Sequence, residues 1–110
     1  MIDMQALKAL FDDDVLVQKY IVRFIKDMPD LIKGMRNACE NHHWDELSIH
    51  AHSYKSQLQY INETGAAEVA FDLEKSSVGS SPDQEDIRQL IQNLEDHLTR
   101  ILPTLQQLIE

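Results

Sequence analysis

An imidazole, an ammonium and a serine hydroxyl lie within one helical turn of each other in Ala51-His52-Ser53-Tyr54-Lys55-Ser56-Gln57-Leu58-Gln59-Tyr60-Ile61. His52 and Lys55 are three positions apart, so on a helix their side chains are neighbours. Ser48, His52, Lys55, Ser56 and Gln59 recur at steps of three and four and are all polar, whereas Leu47, Ala51, Tyr54, Leu58 and Ile61 recur at similar steps and form an apolar stripe. The stretch therefore reads as one helix with a core face and a water face. His52 stands on the water face beside a fixed cation, with little bulk at Ser56 to obstruct a partner. Lys55 offers positive charge to phosphate oxygens, so this arrangement suits an imidazole that must meet a phosphoryl group. The chain has no glycine-rich phosphate loop and no Walker or kinase signature. A phosphoryl group would have to be handed over by a second protein.

The other candidate residues read more plainly. His50 and His52 resemble a metal-binding His-x-His, but positions two apart on a helix differ by about 200° and face opposite ways. His50 leans toward Leu47, Tyr54 and Leu58. His42 and His43 fall near a helix C-terminus, where the dipole favours a partly charged imidazole. His97 flanks Leu94 and Leu98 at a boundary position. Asp12-Asp13-Asp14 suits a helix N-terminus, with its free N–H groups, better than a metal, since adjacent helical residues point in different directions. No metal ligand set is assigned.

These residues need a scaffold, and 110 residues suffice for one domain, residues 1–110, with one core. Three glycines and three prolines are few for an all-β chain. The net charge of −9 disfavours nucleic acid and anionic lipid as partners. No apolar run approaches a bilayer-spanning length of about 20 residues, and the N-terminus shows no secretory pattern. The lone Cys39 fits a reducing, cytoplasmic compartment.

Along the chain, Ile2, Ala6, Leu7 and Leu10 predict a short helix with Asp3 as a cap. From Val15 a long stripe follows: Leu16, Tyr20, Ile21, Phe24, Ile25, Met28, Leu31, Ile32, Met35 and Ala38. Pro29 predicts a kink or break near Asp27, and the continuing phase favours one kinked helix. Trp44 opens the helix that carries His52 and runs to about Asn62. Thr64 is expected to cap the next helix and Gly65 to permit its tight start. Ala66, Ala67, Val69, Ala70 and Leu73 then make a narrow stripe that lets a neighbour approach closely. Residues 76–82 form a linker. The last helix starts near Asp83, carries Ile87 through Leu108, and bends at Pro103. The sum is an all-α, up-down-up-down antiparallel four-helix bundle with a short extra N-terminal helix. No spare apolar face is apparent, which predicts a monomer.

The sequence also resembles the histidine-containing phosphotransfer (HPt) domain family. That family's motif runs Ala-His-x-Leu-Lys-Gly, then small or polar residues, an aliphatic residue and Gly-Ala, then a helix ending in Leu-Glu. Ala51-His52-Ser53-Tyr54-Lys55 matches its start with Tyr54 in the leucine's place, Ile61 takes the aliphatic position, and Leu73-Glu74 falls at the expected distance. Phe24 through Pro29-Asp30-Leu31-Ile32 resembles the family's second helix, and Trp44 stands where it often has tryptophan. The motif glycines are Ser56 and Asn62 here; serine keeps the site small, and Asn tolerates a left-handed helix end.

The resemblance implies a phosphorelay carrier. His52 would accept a phosphoryl group from a receiver-domain aspartyl phosphate and pass it to another receiver. An exposed imidazole, with a pKa of about 6.5, is largely neutral near pH 7 without a dedicated base. Lys55 would disfavour imidazolium and attract phosphoryl oxygens, each by about 1 kcal/mol or less in water. Ser48, Ile49, Ser56 and Gln59 would form the patch on which receivers of response regulators or hybrid kinases dock. The carrier would need no cofactor of its own, the divalent metal belonging to the receiver. The competing expectation is a helical module that binds receivers without accepting phosphate.

Overall fold

The structure, a computed structural model, describes residue 2 and residues 4–110, with Ala6 described by its backbone alone. The cap expected at Asp3 and the place of the Ala6 side chain in the first stripe lie outside the described residues. Among the described residues the chain forms α1 (Met4–Phe11), α2 (Asp14–Glu40), α3 (Trp44–Tyr60), α4 (Thr64–Ser77) and α5 (Gln84–Leu108), with no strand. The four long helices close a ring: α2 packs on α3 and α5, and α4 packs on the same two. The short α1 lies against α2. The bundle measures 44 × 21 × 19 Å.

Each helix turns one stripe inward. In α3, Leu47, Ala51, Tyr54 and Leu58 are fully buried, and Ile61 follows just past its end. In α4, Ala67, Ala70 and Leu73 do the same, and in α5 Ile87, Ile91, Leu94, Leu98 and Leu105. The α2 stripe begins one register later than its sequence suggests. Val17, Ile21, Phe24, Met28, Ile32, Met35 and Ala38 are buried, while Val15 and Leu16 are exposed. Val17 is four residues before Ile21 and shares its face, whereas Val15 lies about 200° from Val17. Pro29 and Pro103 both sit inside continuous helices, and α2 runs as one helix through Pro29, as the continuing phase of its stripe favours.

The corners are built from the backbone. The Asp13 carboxylate caps α2 by accepting from the Val15 amide at 2.7 Å, and Asp83 caps α5 by accepting from the Glu85 and Asp86 amides at 3.0 and 3.2 Å. His42 and Asn62 adopt φ of 56° and 61°, the left-handed conformation that ends a helix. The amide of the residue after each reaches back to the helix: His43 to Ala38 at 2.8 Å, and Glu63 to Leu58 at 2.9 Å. Thr64 does not cap α4. Glu63 holds the cap position without a side-chain cap bond, because its carboxylate is turned to His97, 3.1 Å away on α5. Gly65 is not needed for the turn either; a Cβ there would meet nothing, and Asn62 makes the reversal.

Between α2 and α5, Arg36 donates to Glu95 and Gln92, both at 2.8 Å, and Arg88 grips Glu40 at 2.7 and 2.8 Å. Among the described residues two buried side-chain atoms have no hydrogen-bond partner: Nδ1 of His97 and, in the core, the hydroxyl of Tyr54. Burial pushes its phenol above the ordinary range, with the Glu95 charge adding to the effect. An unpartnered buried hydroxyl costs stability, so Tyr54→Phe is expected to be neutral or stabilising by up to about 1 kcal/mol in urea denaturation. A loss of stability in that variant would show that the hydroxyl has a partner.

Candidate functional site

The buried stripe of α3 fixes the rotation of the helix and leaves His52 outside. Its side chain is 60% exposed, and Nδ1 lies 3.0 Å from Glu74 Oε2 on α4. The second oxygen of the same carboxylate, Oε1, accepts from Lys55 Nζ at 3.0 Å. One carboxylate thus joins the imidazole and the ammonium across the α3–α4 seam. An ionised carboxylate only accepts, so Nδ1 carries the proton of the neutral ring, and Nε2 holds the lone pair. Burial works against ionised Glu74, but the hydrogen bonds from Lys55 and His52, together with their charges, overcome it and hold the carboxyl below the usual carboxylate range.

Lys55 is less free than its position in the sequence suggests. Its side chain is only 17% exposed, and its ammonium also lies 4.7 Å from the centre of the Phe71 ring. Ser56 turns its hydroxyl back to the His52 carbonyl oxygen at 3.1 Å, so it presents little bulk beside the imidazole. Ile49, one turn before His52, is 66% exposed. Ser48 is half-buried. Gln59, one turn past Ser56, lines a shallow hollow of about 340 Å³ with Lys55, Thr64, Ala67, Glu68 and Phe71. All six residues singled out on α3 therefore lie along one face, on which Ile49, His52 and Gln59 are exposed.

Glu74 is the site residue that sequence reasoning missed, although the motif match quotes it. A signal existed. His52 lies ten residues before Asn62 and Glu74 twelve after it. In antiparallel helices joined at that corner, both sit roughly 15 to 18 Å from the turn. Counting outward from Asn62 would have set the two side by side.

The remaining histidines are engaged elsewhere. His50 faces away from His52: its Nε2 is 3.4 Å from Glu46 Oε1, and its ring packs on Gly34, where a Cβ would come within 3.3 Å. His42 stacks on Trp44 at 5.3 Å. Nε2 of His97 is bonded to Glu63. Among the described residues no group of three or more His, Cys, Asp or Glu side chains is arranged to hold a metal ion. No helix among the described residues is long and apolar enough to cross a membrane.

A ring of helices that presents one outward imidazole, backed by a carboxylate and an ammonium, defines a class of bundle suited to carry a group on histidine. Among protein families, the Hpt domain matches residues 19–108. The chain belongs to the Hpt domain family, whose members carry out histidine phosphotransfer in two-component relays and interact with receiver domains. No curated protein and no solved structure matches it.

The depressed Glu74 pKa carries a pH dependence. A carboxyl whose folded value lies below its unfolded value contributes stability that is full above the ordinary carboxylate range. That contribution falls away as pH drops through the range, and it is gone below the depressed value. Glu74→Gln is therefore expected to be less stable than the parent protein at pH 7, with the gap closing in acid. Urea denaturation at pH 7 and pH 3 measures it, and a gap as wide at pH 3 would refute the coupling.

Proposed function

We propose that His52 is the phospho-accepting residue of a receiver-to-receiver carrier. The observation that supports it most is the split carboxylate of Glu74, which engages Nδ1 and so directs the Nε2 lone pair outward. In the forward step Nε2 forms the bond to phosphorus while the bond from phosphorus to the receiver's aspartate oxygen breaks. The electron pair of that bond leaves with the aspartate carboxylate. The imidazole takes on positive charge as it attacks, and ionised Glu74 beside Nδ1 stabilises it, as a carboxylate does wherever it backs a reacting histidine. The second step is the reverse: the carboxylate of an acceptor receiver takes the phosphoryl group, and His52 returns to its neutral form.

Little covalent chemistry is asked of the bundle, since phosphoryl transfer depends mainly on alignment and charge neutralisation. The divalent ion that neutralises the transferring group belongs to the receiver. Lys55 adds an ammonium on the bundle's side. Ile49 provides an apolar contact within reach of the reacting ring, with Ser48, Ser56 and Gln59 completing a small, uncluttered platform. The carrier works as a monomer in the cytoplasm, a setting in keeping with its single buried thiol at Cys39.

The test is label transfer from a phosphorylated receiver. The parent protein is expected to take up label and His52→Gln to take up none; uptake by that variant would remove the assignment. Stable receiver binding with no transfer, at any metal concentration, would favour the non-accepting interaction module instead. Ile49→Asp is expected to slow transfer about tenfold with its thermal midpoint unchanged, the loss typical of an apolar contact near the centre of an interface. Transfer at the parent rate would place the docking contact elsewhere.

A further inference from the structure

Lys55 is held from two sides. Its ammonium donates to Glu74 Oε1 at 3.0 Å and lies 4.7 Å from the centre of the Phe71 ring. A second ammonium, that of Lys75, stands 4.4 Å from the same ring centre and 3.5 Å from Asp72 Oδ1. Phe71 is exposed and stands outside the core cluster, so packing alone does not explain it. The face of an aromatic ring attracts cations, more strongly where water is partly excluded.

The charged groups near this ring are Lys55 on α3 and Glu68, Asp72, Glu74 and Lys75 on α4. On α2, Arg23 and Asp27 pair with each other along the cleft that Ser53 lines. On α5, Glu95 pairs with Arg36, Arg88 with Glu40, and His97 with Glu63. Among the contacts of the described residues, Glu74 is the one charged partner of His52, and Lys55 shares it.

We propose that Phe71 is a positioning residue for phosphoryl acceptance: its ring and the Glu74 carboxylate together pin the Lys55 ammonium beside His52. This rests on the reading of His52 as the phospho-acceptor. The pinned charge separates two events that compete for the imidazole. Protonation brings positive charge to the ring, and a fixed ammonium opposes it. A phosphoryl group brings net negative charge, and the same ammonium favours its arrival. A free lysine does neither well, because it is strongly hydrated on a flexible four-carbon stem. Ordering it before the reaction removes that cost from the transfer step.

The experiment compares Phe71→Leu, Phe71→Tyr, Lys55→Met and the Phe71→Leu/Lys55→Met double variant in label uptake from a phosphorylated receiver, with thermal melts as a check of folding. Phe71→Leu is expected to slow uptake about three- to fivefold, and Phe71→Tyr, which keeps an aromatic face, to match the parent protein. The double variant should be no slower than Lys55→Met alone, since Phe71 acts through Lys55. A second readout is the Lys55 ammonium signal in ¹⁵N NMR, expected to be sharp in the parent protein and broadened by water exchange in Phe71→Leu. Equal slowing by Leu and Tyr, additive losses in the double variant, or an unchanged ammonium signal would each overturn the proposal. If the parent protein takes no label, the reading of His52 fails, while the ammonium signal still decides whether Phe71 pins Lys55.

Discussion

One carboxylate shared between an imidazole and an ammonium is the constraint on which the site depends. Glu74 sits 3.0 Å from each partner, with one oxygen for each. Either partner alone would leave an imbalance. A carboxylate facing only His52 would favour the doubly protonated ring, which has no lone pair to offer. A carboxylate facing only Lys55 would leave the imidazole free to rotate and to exchange tautomers. With both, the carboxylate is charge-balanced and hydrogen-bonded, and burial is tolerable for it. The arrangement is local to two helices, which is why a small bundle can carry it.

Those two helices must lie close for such short bonds to form, and the residue sizes along the seam allow it. Ala51 on α3 and Ala67 and Ala70 on α4 are all buried, and none projects beyond a methyl group. The bulk of the core lies elsewhere, in Tyr54, Met28, Met35 and the leucines and isoleucines that join the four long helices. The ring contacts have a different character. Phe71 on α4 and Ile49 on α3 place apolar surface on the outside of the bundle, where stability alone gives no reason to put it.

Much of this was legible in the sequence, and the reasons are specific. The α3 stripe was read residue by residue because all five of its apolar members are deeply buried, so period and burial coincide. The left-handed end at Asn62 was legible because few residue types tolerate that conformation. The start of α2 was misread because Val15 and Leu16 are apolar but exposed, and apolarity does not report burial at a helix end. Thr64 has the chemistry of a cap, yet the turn geometry after Asn62 gives the cap position to Glu63. Glu74 and Phe71 escaped for a different reason. Their roles arise from a pairing between helices, and periodicity within one helix carries no information about its neighbour's register.

Register is therefore where fold and chemistry meet. Rotation of α3 about its axis is set by its buried stripe; a turn of one residue, 100°, would carry His52 toward the core or away from Glu74. Sliding along the axis is set by the corner. The amide of Glu63 bonds back to Leu58 at 2.9 Å, and the left-handed Asn62 fixes where α4 begins. A slip of one residue displaces α4 by about 1.5 Å, enough to break a 3.0 Å hydrogen bond. Ser56 and Tyr54, where the family motif has other residues, leave the corner and the stripe in place. An insertion or deletion between Ile61 and Thr64 would be a different matter, leaving every helix intact while separating the imidazole from its carboxylate.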